Sequence, residues 1–207
     1  MRLRALAAAW MLACAGAPPA IPVPMPSAGE TAGGEVLFLP LGSIGTSASF
    51  DARRVVGPNV NMTATSEGVW GGSLGGRNLV LQVAEGRLSG AAFEVTVERE
   101  GDALRLAGMV GDRRVGVRLS PQSFQGSVDG GVCSFELSSR AAGTYEGSLV
   151  CPARGHAGPA GAPIPPAVTA TSPRVTSTTL KLSGDAARLD RPVLPQLALA
   201  LLAVLPP

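Results

Sequence analysis

The sequence predicts an all-β domain, an antiparallel meander of repeated hairpins that closes as a soluble barrel, half-barrel or sandwich and ends in a short apolar helix. Three observations lead to this prediction. Apolar and polar residues alternate in short runs, the runs end at turn residues, and a bulky apolar residue two positions before a glycine recurs along the chain. We divide the 207 residues into a signal peptide (1–13), a Pro/Gly-rich tether (14–34), the β-meander domain (35–151), a Pro/Gly-rich linker (152–174) and a returning strand with the C-terminal helix (175–207).

The first thirteen residues have the build of a secretory signal peptide. Arg2 and Arg4 give a basic start, an apolar run follows over residues 5–13, and small residues come next. A membrane-spanning helix needs roughly 20 apolar residues, so this run is too short to span. The sequence therefore predicts export.

The residues MLAC, which end at Cys14, resemble the lipobox of bacterial lipoproteins. The resemblance implies that Cys14 is acylated and becomes the mature N-terminus, which would hold the protein on a membrane. In Gram-negative lipoproteins an alanine after the cysteine, here Ala15, implies sorting to the outer membrane. Met11 stands where the lipobox prefers leucine. Cleavage after Ala15 or Ala20, which would release a secreted soluble protein, is the alternative.

The segment after Cys14, AGAPPAIPVPMPSAGETAGG, is rich in Pro, Gly and Ala and shows no periodicity. Such a composition is typical of a flexible tether between an anchor and a folded domain. The chain has three cysteines, and Cys14 belongs to the signal region. The other two, Cys133 and Cys151, form an even pair in a chain sent to an oxidising compartment, which predicts a disulfide between them.

The recurring glycines define a repeat of the scaffold. Gly90, Gly108 and Gly126 are spaced 18 residues apart and Gly147 follows after 21. The residues two positions before them are Leu88, Leu106, Phe124 and Tyr145, all predicted to lie in the core. A unit of this length holds two strands and two tight turns, which is one hairpin. Upstream, the strand pattern favours Gly71 over Gly72 as the matching glycine, and Trp70 fits either core or rim.

The strand elements are short and alternate with period two. Phe93, Val95 and Val97 alternate with Glu94, Thr96 and Glu98, the most regular case. Strands of about six residues rise roughly 20 Å, whereas a strand of an outer-membrane barrel needs ~9–11 residues. Aromatic residues make up only 4% of the chain, so the aromatic girdles of a membrane barrel are missing.

The last strand and the C-terminus complete the predicted domain. The segment RVTSTTLKLSG repeats the signature at Leu182 and Gly184, so we expect it to pair with residues 35–41 and close the barrel across the linker. Residues 197–205 are apolar on every side, which predicts a short helix that plugs the barrel or covers an open sheet face. A eukaryotic alternative is a GPI signal at residues 183–185, with a glycosylation sequon at Asn61.

The charge balance argues against nucleic-acid binding, and the motifs do not identify a catalysed reaction. Removal of residues 1–13 takes two of the 17 basic residues and leaves 15 against 15 acidic ones, so no counterion release favours nucleic acid. The sole histidine, His156, lies in the linker, where a Ser-His-Asp arrangement cannot be held. The carboxylates Glu94, Glu98 and Glu136 could serve an unrecognised surface hydrolase, although outward strand positions explain them as solvated groups. A set of arginines (Arg105, Arg113, Arg114 and Arg118) is expected to pair across strands with Glu94, Glu98 and Asp102.

We therefore expect no catalytic, cofactor-binding or metal-binding residue and a non-enzymatic role. The sequence predicts an exported, lipid-anchored domain of the cell envelope with a binding or structural function and an unknown ligand. Its membrane partner would be reached through the lipid on Cys14, in the outer membrane or periplasm.

Overall fold

The structure, a computed structural model, describes residues 33–152, 173–189 and 194–206. Within those residues, fourteen antiparallel strands form one closed barrel, in which each strand pairs with its neighbours along the chain and the last pairs with the first. The all-β meander is therefore confirmed, and of the three architectures the chain adopts the barrel. The predicted signal peptide, nearly all of the tether and most of the linker lie outside the described residues.

The strands are numbered in chain order. They are β1 (Gly33–Pro40), β2 (Thr46–Asp51), β3 (Arg54–Gly57), β4 (Val60–Ser66), β5 (Val69–Leu74), β6 (Arg77–Ala84), β7 (Arg87–Gly90), β8 (Phe93–Glu100), β9 (Ala103–Val110), β10 (Arg113–Leu119), β11 (Ser123–Val128), β12 (Cys133–Ala141), β13 (Thr144–Cys151) and β14 (Arg174–Gly184). Short 3₁₀ turns cover Asp129–Gly131 and Asp185–Ala187, and the helix α1 is Leu194–Val204.

Barrel closure by β1 and β14 confirms the predicted pairing across the linker. Val36 lies opposite Leu182 and Phe38 opposite Leu180 in this pair. All four side chains are buried because residues two apart on a strand share a face. The pairing leaves neither sheet edge exposed, which removes a site of edge-to-edge aggregation.

The alternating pattern places one face of each strand in the interior and the other in solvent. Phe93, Val95 and Val97 are buried, whereas Glu94 and Glu98 are exposed. The interior of the barrel is therefore lined by apolar side chains. Trp70 and Tyr145 both belong to this core, which settles Trp70 as core rather than rim.

Inward-facing glycines let neighbouring strands approach closely. A Cβ built on Gly108 would lie 2.0 Å from the Glu94 oxygen and 2.7 Å from the Val95 Cα, and one on Gly147 would lie 2.0 Å from the Glu136 oxygen. These contacts are with backbone, so only glycine fits. The recurring glycines thus lie where the backbone of a neighbouring strand approaches closely.

The expectation that Gly71 anchors the upstream hairpin is wrong. Trp70 faces the interior, and Gly72, two positions later, has the close approach, with a built Cβ 2.0 Å from the Asn61 oxygen. Gly71 faces outward, where the nearest atom is a Thr65 methyl at 3.4 Å. The repeat therefore extends in register to Gly72, 18 residues before Gly90.

The two ends of the barrel differ, and we name them by their turns. The upper end carries the β1–β2 connection, and the lower end carries the β2–β3 connection. Because the strands alternate in direction, Gly33, the first described residue, lies at the lower end. The linker between β13 and β14 leaves from the upper end.

The helix α1 lies inside the barrel. Residues 197–201 are each no more than 1% exposed, so the helix is covered on every side. It contacts β1, β2 and β3 and also β8, which stands opposite β1 in the ring. The Gln196 amide donates to the Ala52 carbonyl at the lower end (3.0 Å), and the Asn59 amide donates to the Ala203 carbonyl at the upper end (3.4 Å). The helix therefore plugs the barrel along its axis.

Candidate functional site at the upper end of the barrel

The predicted disulfide is present and lies at the upper end. Cys133 begins β12 and Cys151 ends β13, with their Cα atoms 4.3 Å apart and their sulfurs bonded. Ser134 pairs with Val150, so the two cysteines are the next cross-strand pair of the same hairpin. The bond therefore fixes the strand ends beside which the linker begins. Cys14, the predicted lipidation site, and His156 lie outside the described residues.

The three carboxylates considered for hydrolysis do not form a pair. Glu94 binds Arg87 and Glu98 binds Arg105, each at 3.5 Å. Glu98 and Glu136 lie on strands four apart in the ring, which separates them by roughly 19 Å at the usual strand spacing. Paired acids in glycosidases lie about 5–9.5 Å apart, so this trio lacks that geometry.

The expected cross-strand charge pairing is found for some of the arginines. Arg105 binds Glu98 as predicted, and Arg118 binds Glu100 at 3.6 Å. Arg113 instead binds Asp129 at 2.9 Å. The pairs made by Arg105 and Arg118 lie on the outer face and are about half exposed, so each contributes little to stability.

Tyr145 is tied to the lower end of the barrel by a buried hydrogen bond. Its hydroxyl donates to the Ser120 carbonyl at 2.9 Å. Burial raises the pKa of this phenol above its usual value of 10.0. The bond joins β13 to the β10–β11 connection and gives the hydroxyl a structural partner, as expected for a buried tyrosine.

Four of the connections at the upper end lack charge, and the first of them exposes apolar side chains. The β1–β2, β3–β4, β5–β6 and β7–β8 connections contain no charged residue between their strands. Leu41 and Ile44, in the first of these, are 72% and 96% exposed. Val132 and Val175, at the same end, are also exposed. Exposed apolar groups at one end of a domain are candidates for an interaction site.

Arg113 fixes the upper end of the helix. Its Nε donates to the Asp129 carboxylate at 2.9 Å, and its Nη2 donates to the Pro206 carbonyl. The side chain is 31% exposed, so the pair is partly shielded from water. The guanidinium of Arg113 thus binds both Asp129 and Pro206. We call this arrangement the Arg113 clamp, because it holds the C-terminal end of α1 to the barrel.

A cavity of about 140 Å³ opens beside this clamp. We call it the upper-mouth cavity. Its lining comes from the ends of β5 to β10, namely Leu74, Gly75, Arg77, Leu79, Ala91, Ala92, Phe93, Val110, Gly111, Asp112 and Arg113. The helix α1 packs mainly against β1–β3, and of the strands that line the cavity it contacts β8.

A second, wider depression of about 500 Å³ lies on the outer face of β9–β12. Small outward residues such as Ala107 and Gly116 form its floor, and Arg105, Arg118 and Glu136 stand at its sides. The arginines are already engaged in the ion pairs with Glu98 and Glu100. The upper-mouth cavity is more enclosed than this depression, so it is the better candidate for a site.

Sequence reasoning did not find the upper-mouth cavity. Arg77, Phe93 and Arg113 come from three different hairpins, and no short motif joins them. The Gly-Gly turn before Arg77 predicts a tight hairpin but not what the arginine faces. Among residues 33–152, 173–189 and 194–206, no group of three His, Cys, Asp or Glu side chains is placed to hold a metal ion. In the same ranges no helix has the length and apolar character needed to cross a membrane.

Comparison with known proteins adds no family to this description. No family model, curated protein or solved structure matches the chain.

Proposed function

We propose that this chain is an exported domain of the cell envelope, held on the outer membrane by a lipid on Cys14, with a binding function at the upper end of its barrel. The observation that carries the proposal is the Cys133–Cys151 disulfide. It supports passage into an oxidising compartment. It also leaves Cys14 as the odd one of three cysteines, at the position where the lipobox resemblance implies acylation.

The polarity of the barrel supports an anchor rather than direct insertion. The outer face carries ion pairs such as Arg87–Glu94 and Arg140–Glu146, both at 3.5 Å, and the interior is apolar. Membrane-spanning barrels have the reverse arrangement, apolar outside and polar inside. A barrel of this polarity stays in water, so attachment to a membrane requires a separate device such as a lipid.

The position of Gly33 supports a binding role at the upper end. A tether that joins the barrel at Gly33 reaches it at the lower end, so the upper end is the one left away from the attachment point. The exposed Leu41 and Ile44 and the upper-mouth cavity lie there. The apolar groups and the cavity therefore stand where a partner could approach.

The burial of the C-terminus favours a bacterial lipid anchor over a GPI anchor. A GPI signal at residues 183–185 would be cut at the end of β14, where Ser183 pairs with Glu35 of β1. The cut would remove α1, whose side chains fill the barrel. Such a cleavage would lose the free energy gained by burying the apolar side chains of α1. The structure is therefore better explained if α1 is retained.

Intact-mass analysis of the full chain, expressed in a Gram-negative bacterium with its own signal, tests the anchor. We expect a mass that begins at Cys14 with a diacylglyceryl group, and loss of that adduct and of membrane association in Cys14→Ala. Cys133→Ser with Cys151→Ser is the matched control, because it changes cysteines and keeps Cys14. A free N-terminus at Gly16 or Ile21 would overturn the proposal.

A further inference from the structure

We infer that the upper-mouth cavity binds a short acyl chain of about six carbon atoms whose carboxylate is held by Arg77. This inference deepens the proposed binding role and rests on it, but it does not depend on acylation of Cys14. Size, polarity and the charge at the rim each point to this ligand class.

The size of the cavity sets the length of the chain. An apolar cavity of about 150 Å³ accommodates a molecule the size of benzene, which has six carbon atoms. The upper-mouth cavity measures about 140 Å³, so a six-carbon chain is its natural occupant. A long fatty acid would have to displace α1, whose residues 197–201 are fully packed.

The floor of the cavity is apolar. Leu74 and Phe93 are buried core residues, and Leu79 and Val110 are half-buried members of the same cluster. Leu79 faces the interior of the barrel, as the buried Leu81 does on the same strand, and still retains exposed surface. An apolar chain placed there would cover that surface and gain the usual free energy of burial.

Arg77 supplies a cation at the rim that is free to take a ligand. Its Nη1 lies across Gly111, 2.7 Å from where a Cβ would stand. Its pair with Asp112 is loose, at 4.0 Å, and both side chains are largely exposed. Such a pair contributes little, so a carboxylate that makes close hydrogen bonds to the guanidinium can replace Asp112. Arg113, the other arginine of the lining, is already occupied by Asp129 and Pro206.

The turn above the cavity holds strained backbone. Ala92 has φ +54°, a left-handed conformation that costs a non-glycine residue free energy. Its carbonyl accepts a hydrogen bond from the Gly111 amide at 2.6 Å, which extends the β8–β9 ladder by one pair and joins the β7–β8 and β9–β10 turns. Strain of this kind persists at sites where the surrounding structure holds it in place, such as ligand clamps.

Titration of the full chain carrying Cys14→Ala with hexanoate tests the inference, since no attached acyl group then competes for the cavity. We expect saturable chemical-shift changes at Leu79, Phe93 and Val110, and weaker changes with butyrate. Arg77→Gln should weaken hexanoate binding about tenfold, the effect of losing one charge-assisted contact. Arg114→Gln, at the same end but outside the lining, is the matched control and should leave binding unchanged.

Two further measurements separate the outcomes. Ala91→Leu, which adds volume from an exposed turn position, should block hexanoate while the thermal unfolding temperature stays close to that of the parent. Hexanol should bind about tenfold more weakly than hexanoate if the carboxylate is held by Arg77. Absence of saturable binding, equal binding of hexanol and hexanoate, or an equal loss in Arg114→Gln would each overturn the inference. If hexanoate does not bind but intact-mass analysis of the parent chain finds Cys14 acylated, the ligand proposal is rejected and the proposed envelope anchor is retained.

Discussion

Gly147 in β13 offers a direct test of how the barrel closes. It faces the interior, two residues after Tyr145, and a Cβ built on it would lie 2.0 Å from the Glu136 oxygen and 2.7 Å from the Leu137 Cα. Both are backbone atoms of β12, so no side-chain rotation can relieve the overlap. Gly147→Ala should therefore push β12 and β13 apart.

The expected cost follows from these distances. Overpacking of a filled interior costs about 1–3 kcal/mol, and distortion of one neighbouring ladder hydrogen bond adds about 1 kcal/mol. We expect Gly147→Ala to lower the free energy of unfolding by about 3 kcal/mol. Gly147 is not among the glycines with positive φ, so the effect is steric rather than conformational.

Gly116 in β10 is the matched control. It faces outward, and a Cβ built on it has no atom within 4 Å. Gly116→Ala restricts the unfolded chain without a clash, so it should stabilise the protein by about 0.4–1 kcal/mol. Urea denaturation of the oxidised proteins, with the midpoint and slope both fitted, measures the two changes. If Gly147→Ala is as stable as Gly116→Ala, then close backbone approach does not explain the glycine repeat.

Three further predictions concern the described residues. Because burial raises the pKa of the Tyr145 phenol, the unfolded chain releases this proton first, and the free energy of unfolding should fall as the pH rises above 10. The chain has one tyrosine, so tyrosinate absorbance reports this directly, and equal titration curves in water and urea would contradict it. Tyr145→Phe removes that pH dependence and, by leaving the Ser120 carbonyl unpaired, should cost about 1–3 kcal/mol near neutral pH. Ala92→Gly relieves a strained φ and should raise the free energy of unfolding by about 0.5–1 kcal/mol; an unchanged urea midpoint would argue against strain there. Reduction of Cys133–Cys151 should lower the free energy of unfolding by about 3 kcal/mol, and thiol labelling without reductant should modify neither cysteine in the oxidised protein.

The sequence predicts the membrane anchor but not the binding site. The lipobox resemblance at Cys14 predicts an anchor, and Cys14 lies outside the residues that the structure describes. The upper-mouth cavity was not predicted because its lining comes from three hairpins: Arg77 and Leu79 belong to one, and Phe93 and Val110 belong to the other two. No period or spacing in the sequence indicates that Arg77 lies beside Gly111, since Gly111 belongs to a turn two hairpins further along the chain.

The sequence by itself determined the strand character, the hairpin repeat, the return of β14 to β1 and the disulfide. These follow from local rules: period-two burial, turn residues, and a cysteine pair that one hairpin brings face to face. Only the tertiary structure decided the rest. The architecture is a barrel because β1 and β14 pair in register. The helix α1 lies in the lumen because a ring of fourteen described strands encloses more volume than its own side chains fill. The tertiary structure also showed that Gly72, not Gly71, belongs to the repeat, because the approach of a neighbouring backbone cannot be seen from one strand alone.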